Sequence, residues 1–344
     1  MREPDTSSSR NPKVSVVIPV HDGEGVIRRA VQSVLGQRYD NLEVVVVDDG
    51  STDRTLVELE SIQDPRLTLE RQDRRGAAAA RNRGFDASAG EFIAFLDADD
   101  RWFPDKISGE VDALVGSQDP VGIAYSGYYA VDNRDRLVKI PPCYDRSGDI
   151  SGLLLDREGV LLPSNTLLHR RVFEDLGGFP ERLRYHEDRP FFLQAARRFP
   201  CQATGKRRVV YRQTIGGKAR RILRDFESAL GAQLLVLDSV RDVLKDDERR
   251  TFERTCMNGL FSRFAMYGYL DSAARMSDRV DRSHLVRSPK GLLAYMSVAS
   301  GVNLLALARV VSQGISRFAL NAWWQKKAAV VLRPRREMDN PHGG

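Results

Sequence analysis

The sequence is poor in cysteine, with three residues in a chain of 344, and none of them forms a Cys-x-x-Cys pair. Cys143, Cys201 and Cys256 lie far apart, so we expect neither a disulfide framework nor a zinc site, and a reducing cytoplasm suits such a chain. The first ten residues are polar and rich in serine, and they lack the apolar core of a signal peptide. We therefore predict a disordered leader at residues 1–12.

The chain also lacks the motifs of common nucleic-acid-binding domains. We find no pattern typical of an RNA-recognition motif, a zinc finger or a helix-turn-helix, so no nucleic-acid partner is expected. The net charge is +6, and residues 326–336 hold five lysines and arginines without an acidic residue. A basic, flexible tail at 326–344 favours contact with an anionic membrane surface.

One long stretch, residues 291–308, contains no charged residue. Its 18 residues lie at the lower limit for a membrane-spanning helix, and internal glycine, serine and asparagine weaken that interpretation. A helix packed in a bundle against the preceding domain and an interfacial amphipathic helix both remain open. Peripheral membrane contact is therefore one prediction for this part of the chain.

Strand-like and helix-like segments alternate through the first hundred residues. Short β-branched or apolar runs are typical of buried strands, and the segments between them have helical spacing. Four strand–loop–helix repeats predict an α/β fold, with a mainly parallel sheet and helices on both faces. The predicted strands are 14–18, 42–47, 66–70, 91–96, 121–131 and 164–169, and the predicted helices are 24–36, one from about residue 53, and 77–89.

The pattern changes after about residue 220, where long helical stretches begin. We place a domain boundary at 215–220, with an α/β domain at 13–217 and a helical region at 218–325. Residues 132–163 are rich in proline, glycine and charge, which favours a loop.

The sharpest chemical motif is Asp97-Ala98-Asp99, which follows an apolar strand. Two carboxylates around one small residue are suited to share Mg²⁺ or Mn²⁺ with a diphosphate, because these cations prefer oxygen ligands. The alternative is a structural acidic turn in which Asp100 caps the helix that begins near Pro104.

A second acidic strand end is Asp48-Asp49-Gly50-Ser51. A carboxylate there can accept a hydrogen bond from a nucleotide base or a ribose hydroxyl. Ser51 and Asp53 are also explained as caps of the following helix. In parallel sheets, ligands bind beyond the carboxyl ends of strands, so this site and the preceding one are expected to share a rim.

Two further candidates are Arg81 and the segment His186-Glu187-Asp188. Arg81 lies on an alanine-rich helix, where it either pairs with the acidic strand ends, holds a phosphate, or is an ordinary surface residue. Pro190 suits a first helical turn, which places Asp188 near the N-cap. There the helix N–H groups would keep the carboxylate ionised, as a general base requires, although simple capping explains it too.

Together these motifs resemble those of the family-2 glycosyltransferases of the GT-A fold, in the family's order. The matching segments are 14–20, 46–53, 79–84, 90–100, 177–179 and 187–188. One departure is His21-Asp22, where the family usually has Tyr-Asn. It either alters the nucleotide pocket slightly or leaves His21 as a loop residue without a role, and we favour the second interpretation.

The resemblance implies a role for each site residue. It implies that Asp49 holds the nucleotide base and that Asp97 contacts the sugar nucleotide. It implies that Asp99 is the main ligand of Mn²⁺ or Mg²⁺. It also implies that Asp188 is the catalytic base, with Glu187 beside it. The residues expected to line the nucleotide pocket are Pro19, Val20 and Arg81.

The activity implied by the resemblance is an inverting transfer from a nucleoside-diphosphate sugar, commonly a UDP-sugar, to a glycan or lipid-linked hydroxyl. Surface polysaccharide synthesis in the cytoplasm, at the inner face of the membrane, is the usual context of such enzymes. Two alternatives remain open. One is a non-catalytic module that binds sugar nucleotides or glycans. The other is a nucleotidyltransferase, although the glycine-rich basic signature near the N-terminus is missing.

Overall fold

The computed structural model describes residues 11–117, 121–183, 185–213, 226–266 and 269–276. These residues form two compact units. One contains the described residues up to 213 together with 238–248, and the other contains 226–237 and 249–276. Several predictions fall outside the described residues: the first ten residues of the leader, the boundary at 215–220, the uncharged stretch at 291–308 and the tail at 326–344.

The first unit is built around one nine-stranded sheet. Its strands are β1 (Val14–Val20), β2 (Leu42–Asp49), β3 (Leu67–Gln72), β4 (Phe92–Phe95), β5 (Arg101–Trp102), β6 (Ile123–Val131), β7 (Leu137–Lys139), β8 (Thr166–His169) and β9 (Cys201–Arg212). Its helices are α1 (Ile27–Leu35), α2 (Thr55–Glu60), α3 (Ala77–Asp86), α4 (Lys106–Val115), α5 (Ser151–Asp156), α6 (Arg170–Leu176) and α7 (Asp188–Arg198).

The strand order is β3-β2-β1-β4-β8-β6-β9-β5, and β7 pairs with β6. The four strands β3, β2, β1 and β4 are parallel, and β6 is parallel to β9. Between these two groups, β8 runs antiparallel to both of its neighbours. The predicted α/β fold with a mainly parallel sheet is confirmed, because the β-branched runs of the first hundred residues form its parallel half.

Alternate residues of β1 serve the two faces of the sheet, as the two-residue period of a strand requires. Val16 and Ile18 belong to one core cluster with Ile27 and Val31 of α1. The intervening Val17 lies on the opposite side, against α3. Helices therefore cover both faces, as predicted.

Gly84 allows α3 to lie close to the sheet. A Cβ atom at this position would stand 2.3 Å from Cγ1 of Val17 and 3.1 Å from Cγ2 of Val47, both in strand interiors. We expect Gly84→Ala to lower the free energy of unfolding by about 1–3 kcal/mol through overpacking, measured by urea denaturation.

Gly152 in α5 offers the matched control for this prediction. A Cβ atom at Gly152 meets nothing within 4 Å. Gly152→Ala is therefore expected to be neutral or stabilising by up to about 1 kcal/mol, because alanine loses less backbone entropy. Equal effects of the two substitutions would contradict the close approach of α3.

Two local predictions differ from the structure. The segment 132–163 was predicted to be a loop, but it contains β7 and α5. Asp100 was considered as a helix cap, but α4 begins only at Lys106, with no side-chain cap. Asp100 is instead 1% exposed and bonds elsewhere in the fold, so the capping alternative was wrong.

The second unit is helical. Its residues come from α8 (Phe226–Ser239), α9 (Asp246–Met266) and α10 (Leu270–Arg275). A cluster of buried apolar side chains holds it together, and the rings of Phe226 and Phe264 stack within it at 5.7 Å. No helix in the described part of the chain is both long enough and apolar enough to cross a bilayer.

Candidate active site

At the end of β2, the carboxylate of Asp49 accepts hydrogen bonds from the protein itself. Asp49 is 4% exposed at the end of β2. Its Oδ1 accepts hydrogen bonds from Arg75 N–H (2.7 Å) and Gln72 Nε2 (2.8 Å), and its Oδ2 accepts from Gly76 N–H (2.8 Å). These bonds fix the loop between β3 and α3. The predicted contact of Asp49 with a nucleotide base stays a prediction.

The last two residues of β1, Pro19 and Val20, lie beside the end of β2. Pro19 and Val20 are buried, and Val20 belongs to the apolar core. Their predicted place in the nucleotide pocket stays a prediction. The next residue, His21, places Nδ1 2.9 Å from the carbonyl oxygen of Asp49. A carbonyl can only accept, so Nδ1 carries the proton, and His21 supports the Asp49 backbone where no role was expected.

An open cleft of about 590 Å³ lies beside this strand end. Its lining includes both acidic and basic side chains, together with Gly50. The charged or amide-bearing residues that line it are Asp48, Arg71, Gln72, Asp73, Arg75 and Arg83.

Arg81 is the central cation of the site. It is 4% exposed on α3, and its guanidinium donates from Nη2 to Asp97 Oδ1 and from Nη1 to Glu187 Oε1, each at 2.7 Å. Burial would lower the pKa of Arg81, but the charges of Asp97 and Glu187 outweigh burial and raise it. The surface alternative for Arg81 was wrong, and its pairing with acidic residues was correctly anticipated.

Arg81 is placed by the residue that follows it. The side-chain amide of Asn82 pairs with both backbone groups of Phe179, at 2.9 Å in each direction. This places the Phe179 ring 5.1 Å from the guanidinium carbon of Arg81. Gly178 must lack a side chain here, because a Cβ atom would lie 2.7 Å from Asn82 Oδ1. Residues 80–82 and 177–179 are therefore held together by direct contacts.

Residues 97–100, which follow β4, form a loop that we call the acidic loop. Asp97 and Asp99 are partly exposed, whereas Asp100 is buried. Ser164 Oγ donates to Asp100 Oδ2 (2.5 Å) and accepts from Asp97 N–H (3.1 Å). Burial, then the charges of Asp99 and Asp97, raises the pKa of Asp100 well above its ordinary value.

Asp188 is the first residue of α7, with Glu187 just before it. Burial, then the charge of Glu187, raises the pKa of Asp188 to about 7, against the opposing effect of Arg81. This differs from the expected stabilised carboxylate, because burial, followed by the charge of Glu187, outweighs the groups that favour the ionised form. A group with a pKa near 7 is well matched to proton transfer at neutral pH.

The acidic side chains meet around Tyr211 on β9. Burial raises the pKa of the Tyr211 phenol well above its ordinary value. The charges of Asp100, Asp97, Asp188 and Asp99 add to this effect, so the four carboxyl groups lie near one side chain. No sequence pattern marked Tyr211 as a site residue, and the strand that carries it was not among the predicted strands. Arg81, which donates to both Asp97 and Glu187, brings the end of β4 and the segment that contains Asp188 together.

The site offers two partly exposed carboxylates to a cation, Asp97 and Asp99. Within the described ranges, no three His, Cys, Asp or Glu side chains are grouped so that they could hold a metal ion. A donor set of two carboxylates fits a divalent cation whose other ligands come from a diphosphate and water, as Mg²⁺ sites of this kind do.

Comparisons with known proteins point to one family. A model described as Glycosyl transferase family 2 matches residues 15–177. An uncharacterized glycosyltransferase of Haemophilus influenzae is 31% identical over 203 residues, covering 58% of this chain and 76% of that protein. The match spans only 26–57% of the length of five rickettsial relatives.

Two further similarities concern an enzyme and a solved structure. The Escherichia coli protein named UDP-Glc:alpha-D-GlcNAc-diphosphoundecaprenol beta-1,3-glucosyltransferase WfaP is 37% identical over 117 residues, 34% of this chain and 46% of that protein. The structure of S. aureus TarS 1-349 in complex with UDP-GlcNAc has a TM-score of 0.59 at 18% identity, covering 89% of this chain and 93% of TarS 1-349. This likeness confirms the expected GT-A fold.

Proposed function

This chain belongs to glycosyltransferase family 2, and from that membership we propose that it transfers a sugar from a nucleoside-diphosphate sugar to a hydroxyl group. The observation that carries the proposal is the buried guanidinium of Arg81, which joins Asp97 on one side to Glu187 on the other. Asp188, next to Glu187, has a pKa of about 7. The guanidinium of Arg81 thus connects Asp97, which is expected to contact the donor, with the segment that contains Asp188, the proposed base.

The proposed donor is a UDP-sugar and the proposed acceptor is a glycan or lipid-linked hydroxyl. The names of the E. coli relative and of the TarS complex support this choice, since they specify UDP-Glc, a diphosphoundecaprenol-linked sugar and UDP-GlcNAc. A lipid-linked acceptor would bring the enzyme to the cytoplasmic face of a membrane. The basic residues 326–336 favour contact with anionic lipid there.

In the proposed reaction, Asp188 accepts the proton of the acceptor hydroxyl as its oxygen attacks the anomeric carbon. A bond forms between that carbon and the acceptor oxygen, while the bond to the diphosphate oxygen breaks. Attack from the face opposite the leaving group inverts the anomeric configuration. Arg81 compensates the charges of Asp97 and Glu187, so that the donor diphosphate does not meet an uncompensated acidic cluster.

Asp99 and Asp97 are the residues that would hold the divalent cation, Mn²⁺ or Mg²⁺, with Asp99 as the main ligand. When bound, such a cation supplies charge neutralisation on the departing diphosphate. The side chains serve this purpose because they stand at a strand end, on a backbone fixed by Ser164. A fixed position lets the charges act without reorganisation during the reaction.

A thermal-shift screen tests the donor assignment. UDP with Mn²⁺ is expected to raise the unfolding temperature, with a stabilisation of about 2.7 kcal/mol at a concentration of 100 times Kd. UMP serves as the control, since it lacks the second phosphate. Stabilisation by GDP or dTDP alone would show that the donor carries guanine or thymine instead of uracil. No response to any nucleoside diphosphate would contradict the proposal. Release of UDP from a UDP-sugar distinguishes sugar transfer from simple binding, and release of pyrophosphate would indicate a nucleotidyltransferase.

A further inference from the structure

Arg212, the last residue of β9, is bonded to the acidic loop in two places. It is 7% exposed. Its backbone N–H donates to Asp100 Oδ1 (2.7 Å), and its Nε donates to the carbonyl oxygen of Asp99 (3.2 Å). One residue therefore holds both the backbone carbonyl of Asp99 and the side-chain carboxylate of Asp100.

The other end of the same guanidinium is fixed by the turn between β6 and β7. Arg212 Nη1 donates to the carbonyl oxygen of Asp132 (3.1 Å), and Nη2 donates to Asp135 Oδ1 (2.6 Å). All three nitrogen atoms of the Arg212 guanidinium thus donate hydrogen bonds, two to the turn and one to the acidic loop. The planar fork of arginine makes such contacts geometrically specific.

Asp135, in this turn, pairs with three arginine side chains from other elements of the fold. Its carboxylate also accepts from Arg101 (2.9 Å) and Arg29 (2.8 Å), and its backbone has φ of +59°. Burial would raise the pKa of Asp135, but Arg101 and Arg212 outweigh burial and lower it. The carboxylate is thus ionised at neutral pH and provides a permanent anchor for Arg212.

We propose that Asp135 and Arg212 form a positioning pair for the acidic loop. Asp135 orients the guanidinium of Arg212, and Arg212 holds the backbone carbonyl of Asp99 and the side-chain carboxylate of Asp100. The Asp97 and Asp99 carboxylates are thereby aimed at the diphosphate-bound cation. This inference rests on the proposed function, and neither Asp135 nor Arg212 touches the reacting atoms in it. Residues that orient metal ligands typically change metal affinity by about 10–100-fold when substituted.

Amide hydrogen exchange tests the pair without any ligand. The backbone N–H of Asp100 donates to the carbonyl oxygen of Asp97 and reports on the loop. We expect Asp135→Asn and Arg212→Lys each to speed this exchange by about tenfold or more, because the loop opens more often. Arg212→Lys keeps the positive charge but loses the planar guanidinium. An exchange rate equal to that of the wild type in this variant would overturn the proposal.

Arg29→Gln is the matched control. It removes one partner of Asp135 on α1, has a half-exposed side chain and leaves the Arg212 contacts in place. Exchange in the acidic loop is expected to stay at the wild-type rate in Arg29→Gln. An equal acceleration in all three variants would show that the turn acts by general stabilisation, which also overturns the proposal.

Calorimetric titration supplies the functional readout. The affinity for UDP in the presence of Mn²⁺ is expected to fall by about 10–100-fold in Asp135→Asn and Arg212→Lys, with the metal-free affinity unchanged. Should Asp135→Asn fail to fold, Arg212→Lys alone decides. If the wild type binds no nucleoside diphosphate, the proposed function fails, whereas the exchange experiment still decides whether the pair positions the loop.

Discussion

Replacing Asp188 with asparagine is expected to lower kcat for sugar transfer by about 10²–10⁴-fold, the usual contribution of a general base. Asparagine keeps the size of the side chain but cannot accept the proton of the acceptor hydroxyl. The affinity for the nucleoside diphosphate should be unchanged, because Asp188 is placed on the acceptor side. Steady-state kinetics with saturating donor and acceptor measure the effect.

The pH profile provides a second signature of the same residue. Burial and Glu187 raise the pKa of Asp188 to about 7, and only the ionised form is a base. The kcat of the wild type should therefore rise with pH through about 7 and level off above it. The Asp188→Asn variant should lose this rise.

Asp86→Asn is the control for Asp188→Asn, since Asp86 is an exposed aspartate at the end of α3. It should retain wild-type kinetics. If the Asp188→Asn variant kept a tenth or more of the wild-type kcat, Asp188 would not be the catalytic base.

The second large effect is expected at Arg81. Replacing it with methionine leaves the carboxylates of Asp97 and Glu187 without their buried cation. Breaking a buried ion pair from one side costs about 3–5 kcal/mol, so the free energy of unfolding should fall by that amount in urea denaturation. Donor turnover should be lost as well, because uncompensated acidic groups repel a diphosphate.

Arg83, which lies on the same helix α3, provides the comparison. Its side chain is 45% exposed and pairs with Glu70 at 2.9 Å. Exposed pairs contribute little, so Arg83→Met should change the free energy of unfolding by less than about 1 kcal/mol. Similar losses in the two variants would mean that Arg81 does not hold the site together.

The candidate site could be anticipated in part because acidic residues followed buried strands. The carboxyl ends of parallel strands share an edge, so Asp49 and Asp97 were expected at one rim. The strands that carry them are confirmed within a few residues. Their bonding partners were not anticipated, since hydrogen bonds of Asp49 to Arg75 and Gly76 depend on the path of a loop that has no periodic pattern.

The sequence by itself determined the parallel half of the sheet, the helices on its two faces and the family, because these follow from local periodicity and from motifs of adjacent residues. Only the tertiary structure decided which charges meet. Arg81 reaches Glu187 across 106 positions, and Arg212 reaches Asp135 across 77. The pKa of Asp188 also depends on burial among groups brought together by the fold. Such long-range proximity and desolvation depend on chain topology, which no local pattern encodes.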